Sequence, residues 1–159
     1  MLRLSEALVA NEKFQGTLSL ASNGLTDLSA LYLSKIFEKK FYNITKLDLQ
    51  GNAFSSKAGE YICTALANNT SYTIFKVSFA KIHLEDIGLV HMIEAVNQNK
   101  NILKLDIGIV TNHGLEQLAE LLKENTSLEE IAIEETTDHQ KYWSNSGRLA
   151  FTRTLKSFT

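Results

Sequence analysis

The chain of 159 residues is 44% hydrophobic and 21% charged, with one cysteine and no proline. That balance excludes disorder as the default state and suits one domain with a real core. A formal net charge of −2 offers nucleic acid and anionic membranes no general attraction.

The opening MLRLSEALVANEK breaks any apolar run with acids and polar residues, and no later stretch reaches the roughly 18 apolar residues of a membrane span. The expected location is therefore the cytosol, and the lone Cys63 agrees with a reducing compartment. LSEALVANEKF places Leu4, Leu8 and Asn11 as the last turns of a helix closed by asparagine. Residues 1–14 are thus expected to act as an N-terminal cap, half of a repeat.

Alternation begins at Leu18 and Leu20. It returns in ITKLDLQGNAF, where Ile44, Leu47, Leu49, Asn52 and Phe54 fit the template L-x-x-L-x-L-x-x-N-x-L. The same paired positions recur at Val77/Phe79, Leu105/Ile107 and Ile131/Ile133, with steps of 29, 30, 28 and 26 residues from Leu18/Leu20 onward. Between the pairs the apolar period changes from two to three and four, which is the change from strand to helix. AGEYICTALANN carries Tyr61, Ile62, Ala65 and Leu66; GLVHMIEAVNQN carries Leu89, Met92, Ile93 and Val96; GLEQLAELLKEN carries Leu115, Leu118, Leu121 and Leu122. Gly59, Gly88 and Gly114 precede the helix bodies, as close packing at a helix entry requires. Asn69, Asn99 and Asn125 close them and are expected to adopt the left-handed C-cap.

The longest step contains NNTSYTIF, which takes five residues from Asn69 to Ile74 where Asn99 to Ile102 and Asn125 to Leu128 take three. Two residues are inserted there in a turn, where insertions are tolerated. Glycosylation sequons begin at Asn43, Asn68, Asn69 and Asn125, but most fall at repeat boundaries and read as turn chemistry. Asn23 and Asn52 hold the template asparagine, whereas Ile82 and Val110 replace it, so an asparagine ladder is interrupted.

A unit of roughly 28 residues cannot bury both a strand face and a helix face alone, so neighbours must stack over one core. The expected fold is α/β: a right-handed leucine-rich-repeat solenoid, a short horseshoe with parallel strands on the concave face and helices on the convex face. One domain, 1–159, would hold the cap, repeats over 15–138 and a C-terminal capping tail over 139–159. In that tail SGRLAFTRTLKSF offers Leu149, Phe151, Leu155 and Phe158 as contacts.

From Leu18 to Ile133 these motifs resemble the ribonuclease-inhibitor-like class of leucine-rich repeats. That resemblance implies a binding module that holds or occludes a partner protein, with an intracellular enzyme as one concrete target. It also extends to effectors of intracellular bacteria, which would place the chain in a host cytosol. LLKENTSLEEIAIEE, residues 121–135, is similar to the closing repeats of the tropomodulin C-terminal domain, and this second resemblance implies actin filament capping.

On strands of this kind the columns flanking the leucines face solvent on the concave side. The middle column reads Ser19, Asp48, Ser78, Asp106, Ala132; the one before it Thr17, Lys46, Lys76, Lys104, Glu130; the one after it Ala21, Gln50, Ala80, Gly108, Glu134. Two readings stand for the stacked lysines: an internally paired charge lattice, or a docking site for an acidic element of a partner on Lys46, Lys76 and Lys104. The expected partner-binding set is Thr17, Ser19, Lys46, Asp48, Gln50, Lys76, Ser78, Lys104, Asp106, Glu130 and Glu134, joined by Tyr142 and Trp143 as aromatic anchors. Between Glu116 and Asp138 acids dominate, with Lys123 alone opposing them. Lys141, Arg148, Arg153 and Lys156 follow without an acid, so the tail either packs on the acidic repeat or leaves Glu129, Glu130, Glu134 and Glu135 for a basic partner.

No catalytic constellation assembles. Cys63 sits among core residues of a helix, where a packed thiol is expected. His83, His91, His113 and His139 lack metal-ligand spacing, and no phosphate loop occurs. Asp48 and Asp106 lie two strands apart, roughly 9–10 Å, on an open surface with nothing to separate their acidities. The expectation is a non-enzyme without cofactor or metal, monomeric when free, binding a protein rather than nucleic acid or membrane.

Overall fold

The computed structural model describes residues 2–11, 13–38, 43–68, 74–108 and 110–133. The elements alternate in the expected order: α1 (Leu2–Ala10), β1 (Gln15–Ser19), α2 (Asp27–Phe37), β2 (Asn43–Asp48), α3 (Ser56–Asn68), β3 (Lys76–Ser78), α4 (Glu85–Gln98), β4 (Lys104–Ile107), α5 (Asn112–Leu122) and β5 (Glu130–Ile133). The strands form one parallel sheet in sequence order, β1-β2-β3-β4-β5. Register places Leu18, Leu47, Val77, Leu105 and Ile131 side by side. Their columns are those read from the sequence, so this is a leucine-rich-repeat-like solenoid, with five strands among the described residues.

Its core is continuous because every coil contributes the same positions. Leu47, Leu49, Val77, Phe79, Leu105 and Ile107 point inward, joined by Ile44, Ile74 and Ile102 from the strand entries. Helices supply Leu33, Ile36, Ile62, Leu66, Met92, Ile93, Leu115 and Leu118. Each such side chain gains about 1.5–3 kcal/mol on burial, which no single coil could collect. At the N-terminal end Leu8 is buried while Leu4 stays largely exposed, so α1 caps the core through one of the two expected leucines. Ile131 and Ile133 are only partly buried against the cluster.

The three glycines lie inside the first turns of their helices rather than before them. A methyl on Gly59 would stand 3.2 Å from the Gly88 Cα, and one on Gly88 would meet the Leu84 Cβ at 2.7 Å and the Ser56 Cα at 3.2 Å. Bare backbone lets α3 and α4 approach at this point.

The helix-closing asparagines do a different job from the expected left-handed cap. Asn99 is extended, with φ −95° and ψ 92°. Its Oδ1 accepts from the Asn101 N–H at 3.1 Å while its Nδ2 donates to the Leu66 carbonyl of the previous coil at 2.9 Å. Asn125 repeats the plan, accepting from the Ser127 and Leu128 N–H groups and donating to Asn97 Oδ1 at 2.7 Å. Both are buried. Asn11 makes the same turn toward Lys13 and is exposed. Left-handed backbone occurs instead at the strand exits, at Ser22, Gly51 and Lys81, with φ of 55°, 65° and 55°, and at Glu85 at the start of α4, with φ of 57°.

Asn52 behaves as the template requires. Its Nδ2 donates to the Leu20 and Leu49 carbonyls and its Oδ1 accepts from the Asn23 and Leu25 N–H groups, all within 3.0 Å. Where Ile82 replaces it, the chains close up differently: a methyl on Gly108 would lie 1.9 Å from the Ile82 carbonyl oxygen. Gly108 is consequently buried, a correction to its expected place in a solvent-facing column. Asn69, the inserted turn, Glu134, Glu135, Tyr142, Trp143 and the tail 139–159 lie outside the described residues.

Candidate functional site on the strand face

Side chains on the strand face are set by register. Lys46, Lys76 and Lys104 are direct neighbours across β2, β3 and β4, and Glu130 follows Lys104 on β5. Beside them run Ser19, Asp48, Ser78, Asp106 and Ala132.

Two of the three lysines are satisfied by the strand ahead. Lys76 Nζ reaches Asp106 Oδ2 at 2.8 Å, and Lys104 Nζ reaches Glu130 Oε2 at 2.5 Å. The hydrogen bond and charge of Glu130 raise the Lys104 pKa above its ordinary value, and the same contact from Lys104 lowers that of Glu130. Both pairs face solvent, so water and salt screen them and they hold position more than they add stability.

Lys46 differs. Exposed on β2, it carries no ion pair among the described residues, and its ammonium lies 5.7 Å from the centroid of the Phe75 ring. The charge lattice expected from the sequence is therefore present on β3 to β5 and open at β2. Phe75, which immediately precedes β3, was not among the expected site residues; the signal for it is an aromatic residue next to the lysine of the following strand.

Asp48 is engaged without a lysine. Its Oδ2 accepts from the Ser19 hydroxyl at 3.1 Å and its Oδ1 from the Gln50 N–H at 3.1 Å. Asp106 is held by Lys76. Both carboxylates already have donors, which is not the arrangement of an acid and a base sharing one substrate. Ser78, expected at the surface, is buried at 6% and forms floor rather than rim.

Together Thr17, Lys46, Asp48 and Gln50 on one side and Lys76, Ser78 and Asp106 on the other enclose a hollow of about 280 Å³. It lies open to solvent and falls just under the roughly 300–1,000 Å³ of small-molecule sites. Partner side chains would fit it better than an enclosed ligand. On the helix side a second hollow of about 250 Å³ separates α3 from α4, with Thr64, His91 and Gln98 on its borders. His91 Nδ1 is 3.6 Å from Glu94 Oε2 there.

Burial pushes the Cys63 thiol up to about 12, which removes the thiolate a nucleophile needs. Among the described residues no three His, Cys, Asp or Glu side chains gather as a metal set. No described helix is long and apolar enough to cross a membrane.

No family model matches the sequence, and no curated protein sequence matches it. Among solved structures, one titled "Leiomodin-1 Actin-Binding Site 2 (ABS2)" superposes on this chain with a TM-score of 0.76. The likeness is one of fold. Sequence identity is 16%, and the superposition covers 97% of this chain and 86% of that one. Leiomodin's domain has a tropomodulin-type leucine-rich-repeat-like architecture, so the fold likeness agrees with the tropomodulin resemblance of residues 121–135. It leaves the ribonuclease-inhibitor-like class without separate support.

Proposed function

We propose that this chain is a docking domain that binds actin through its strand face and carries no chemistry of its own. The observation behind this reading is the superposition over 97% of the chain on a solved structure whose title names an actin-binding site. It is strengthened by the face itself, where an open hollow and a lysine with no ion pair among the described residues sit on hydrogen-bonded parallel strands. Rigid presentation is what a protein-docking surface needs, because side chains already held in place lose less freedom when the partner arrives.

Of the readings drawn from the sequence, actin docking is the one that this neighbour supports. A regulator or inhibitor of an enzyme, or an effector-like adaptor, rests on the resemblance of repeat class alone. An actin partner also carries the expected cytosolic location with it, and the domain would act as a monomer.

The test is direct. The purified chain should co-sediment with filamentous actin and change the elongation rate of pyrene-labelled actin at one filament end. A chain that stays in the supernatant and leaves elongation at both ends untouched would remove actin as the partner.

A further inference from the structure

We propose that the hollow beside Lys46 is a seat for a single carboxylate side chain of the docked protein. This deepens the docking reading and rests on it. Along the strand face each lysine takes its acid from the strand ahead: Lys76 from β4 and Lys104 from β5. At Lys46 the strand ahead offers Lys76 directly opposite and Ser78 beside it. The strand behind offers Thr17 and Ser19. None of these is an acid, so the pattern that neutralises β3 and β4 leaves β2 with its charge uncovered.

Two neighbouring features make the gap a seat rather than an ordinary solvated lysine. The Phe75 ring lies under the ammonium at 5.7 Å, which attracts the cation without neutralising it. Lys76 also lines the hollow, but its ammonium is already held by Asp106 on β4, so a carboxylate entering there meets the Lys46 ammonium as its one uncommitted cation. Ser78 on the floor accepts from the Ala80 N–H at 3.5 Å, and its hydroxyl proton remains available to donate.

The same hollow limits what it takes. Asp48 and Asp106 line it as well, so a second negative charge close to the first would face repulsion. The occupant is one aspartate or glutamate flanked by neutral residues, not an acidic run and not the phosphate backbone of a nucleic acid.

The experiment uses the whole chain and a blocked Gly-Gly-Glu-Gly-Gly peptide, followed by NMR of backbone amides and lysine ammonium groups. Saturable shifts are expected at Thr17, Lys46 and Ser78, with the glutamine version of the peptide inactive. Lys46→Met should weaken the peptide by about tenfold, the scale of one charge-assisted contact. Lys104→Met should change it less than about twofold, because its ammonium is already paired. An amide spectrum unaltered away from the substituted strand and its two neighbours shows that each variant is folded. Equal shifts with the glutamine peptide, undiminished binding by Lys46→Met, or a short single-stranded DNA that moves the same signals at lower concentration would each overturn the seat. Actin binding that survives Lys46→Met would overturn it while leaving the docking reading in place. Peptide binding by a chain that ignores actin would support the seat and remove actin.

Discussion

Asn52 shows how much one side chain can hold. It closes four hydrogen bonds to the backbones of two coils from a buried position. Asn52→Ala leaves two N–H groups and two carbonyls to be satisfied by what little water can enter, and it is expected to cost roughly 2–4 kcal/mol. Asn23, exposed and with its side-chain amide donating to the Ala21 carbonyl of its own turn, should lose less than about 0.5 kcal/mol on the same change. Urea unfolding of the two variants compares them, and equal losses would mean that the template asparagine is not structural here. Lys104 and Glu130 give a second test at this scale. A carboxyl lowered from its ordinary 4.5 adds stability that is complete above that value and is lost as pH falls through the folded pKa. An ammonium raised from 10.5 adds stability complete below that value and lost as pH rises through the folded pKa. The pair is thus intact across the neutral range. Carboxyl carbon NMR should find Glu130 titrating below its ordinary value and moving back up in Lys104→Met; an unmoved titration would mean that the contact does not persist in solution.

Between residues and whole coils, the helices are joined at both ends by side chains that repeat with the fold. At the N-terminal ends an acid of one helix clamps the cap of the next: Asp27 accepts from the Ser55 N–H and hydroxyl, and Asp86 accepts from the Thr111 hydroxyl at 2.6 Å. Thr111 in turn caps α5 by accepting from the Gly114 N–H. At the C-terminal ends Asn99 and Asn125 reach back to the preceding coil. Between these ties, Gly88 fixes how near α3 and α4 come. Replacing it with alanine would gain about 1 kcal/mol of helix propensity, yet the new methyl would press on the Leu84 Cβ and the Ser56 backbone. Overpacking of this kind costs roughly 1–3 kcal/mol, so Gly88→Ala should lower the denaturant midpoint. A raised midpoint would show that α4 moves away freely. The strands were legible because Leu47, Val77 and Leu105 sit in a strict alternation that only one register satisfies. The turns were not, since Ser22 and Lys81 share the left-handed backbone of Gly51 without its telltale residue type. Nor could the asparagine at a helix end reveal that its amide crosses to another coil. For the site, columns were readable and pairings were not, because Lys76 bonds the diagonal Asp106 rather than its direct neighbour.

Across the molecule, the core thins from the middle coils toward the start. Ile44, Leu49, Ile74 and Phe79 are fully buried, whereas Leu18 and Leu20 of β1 remain 7% and 8% exposed. Among the described residues β1 also has a strand on one side only. In a stacked architecture stability is the sum of each coil and its interfaces, so a coil with one strand neighbour is held less firmly than one with two. Native-state hydrogen exchange should therefore find the amides of β2, β3 and β4 protected to a common high free energy and those of β1 opening at a lower one. Asn52→Ala, which removes ties between the first two coils, should widen that difference by lowering β1 most. Uniform protection from β1 to β4, unchanged by the substitution, would mean that the chain unfolds only as a single unit. The gradient matters for docking, because Thr17 and Ser19 line the early coil while Lys46, Lys76 and Asp106 belong to the firm middle. A partner seated across β1 to β4 would brace the loose coil against the rigid ones, and its arrival should be read as added protection of β1 before any other strand.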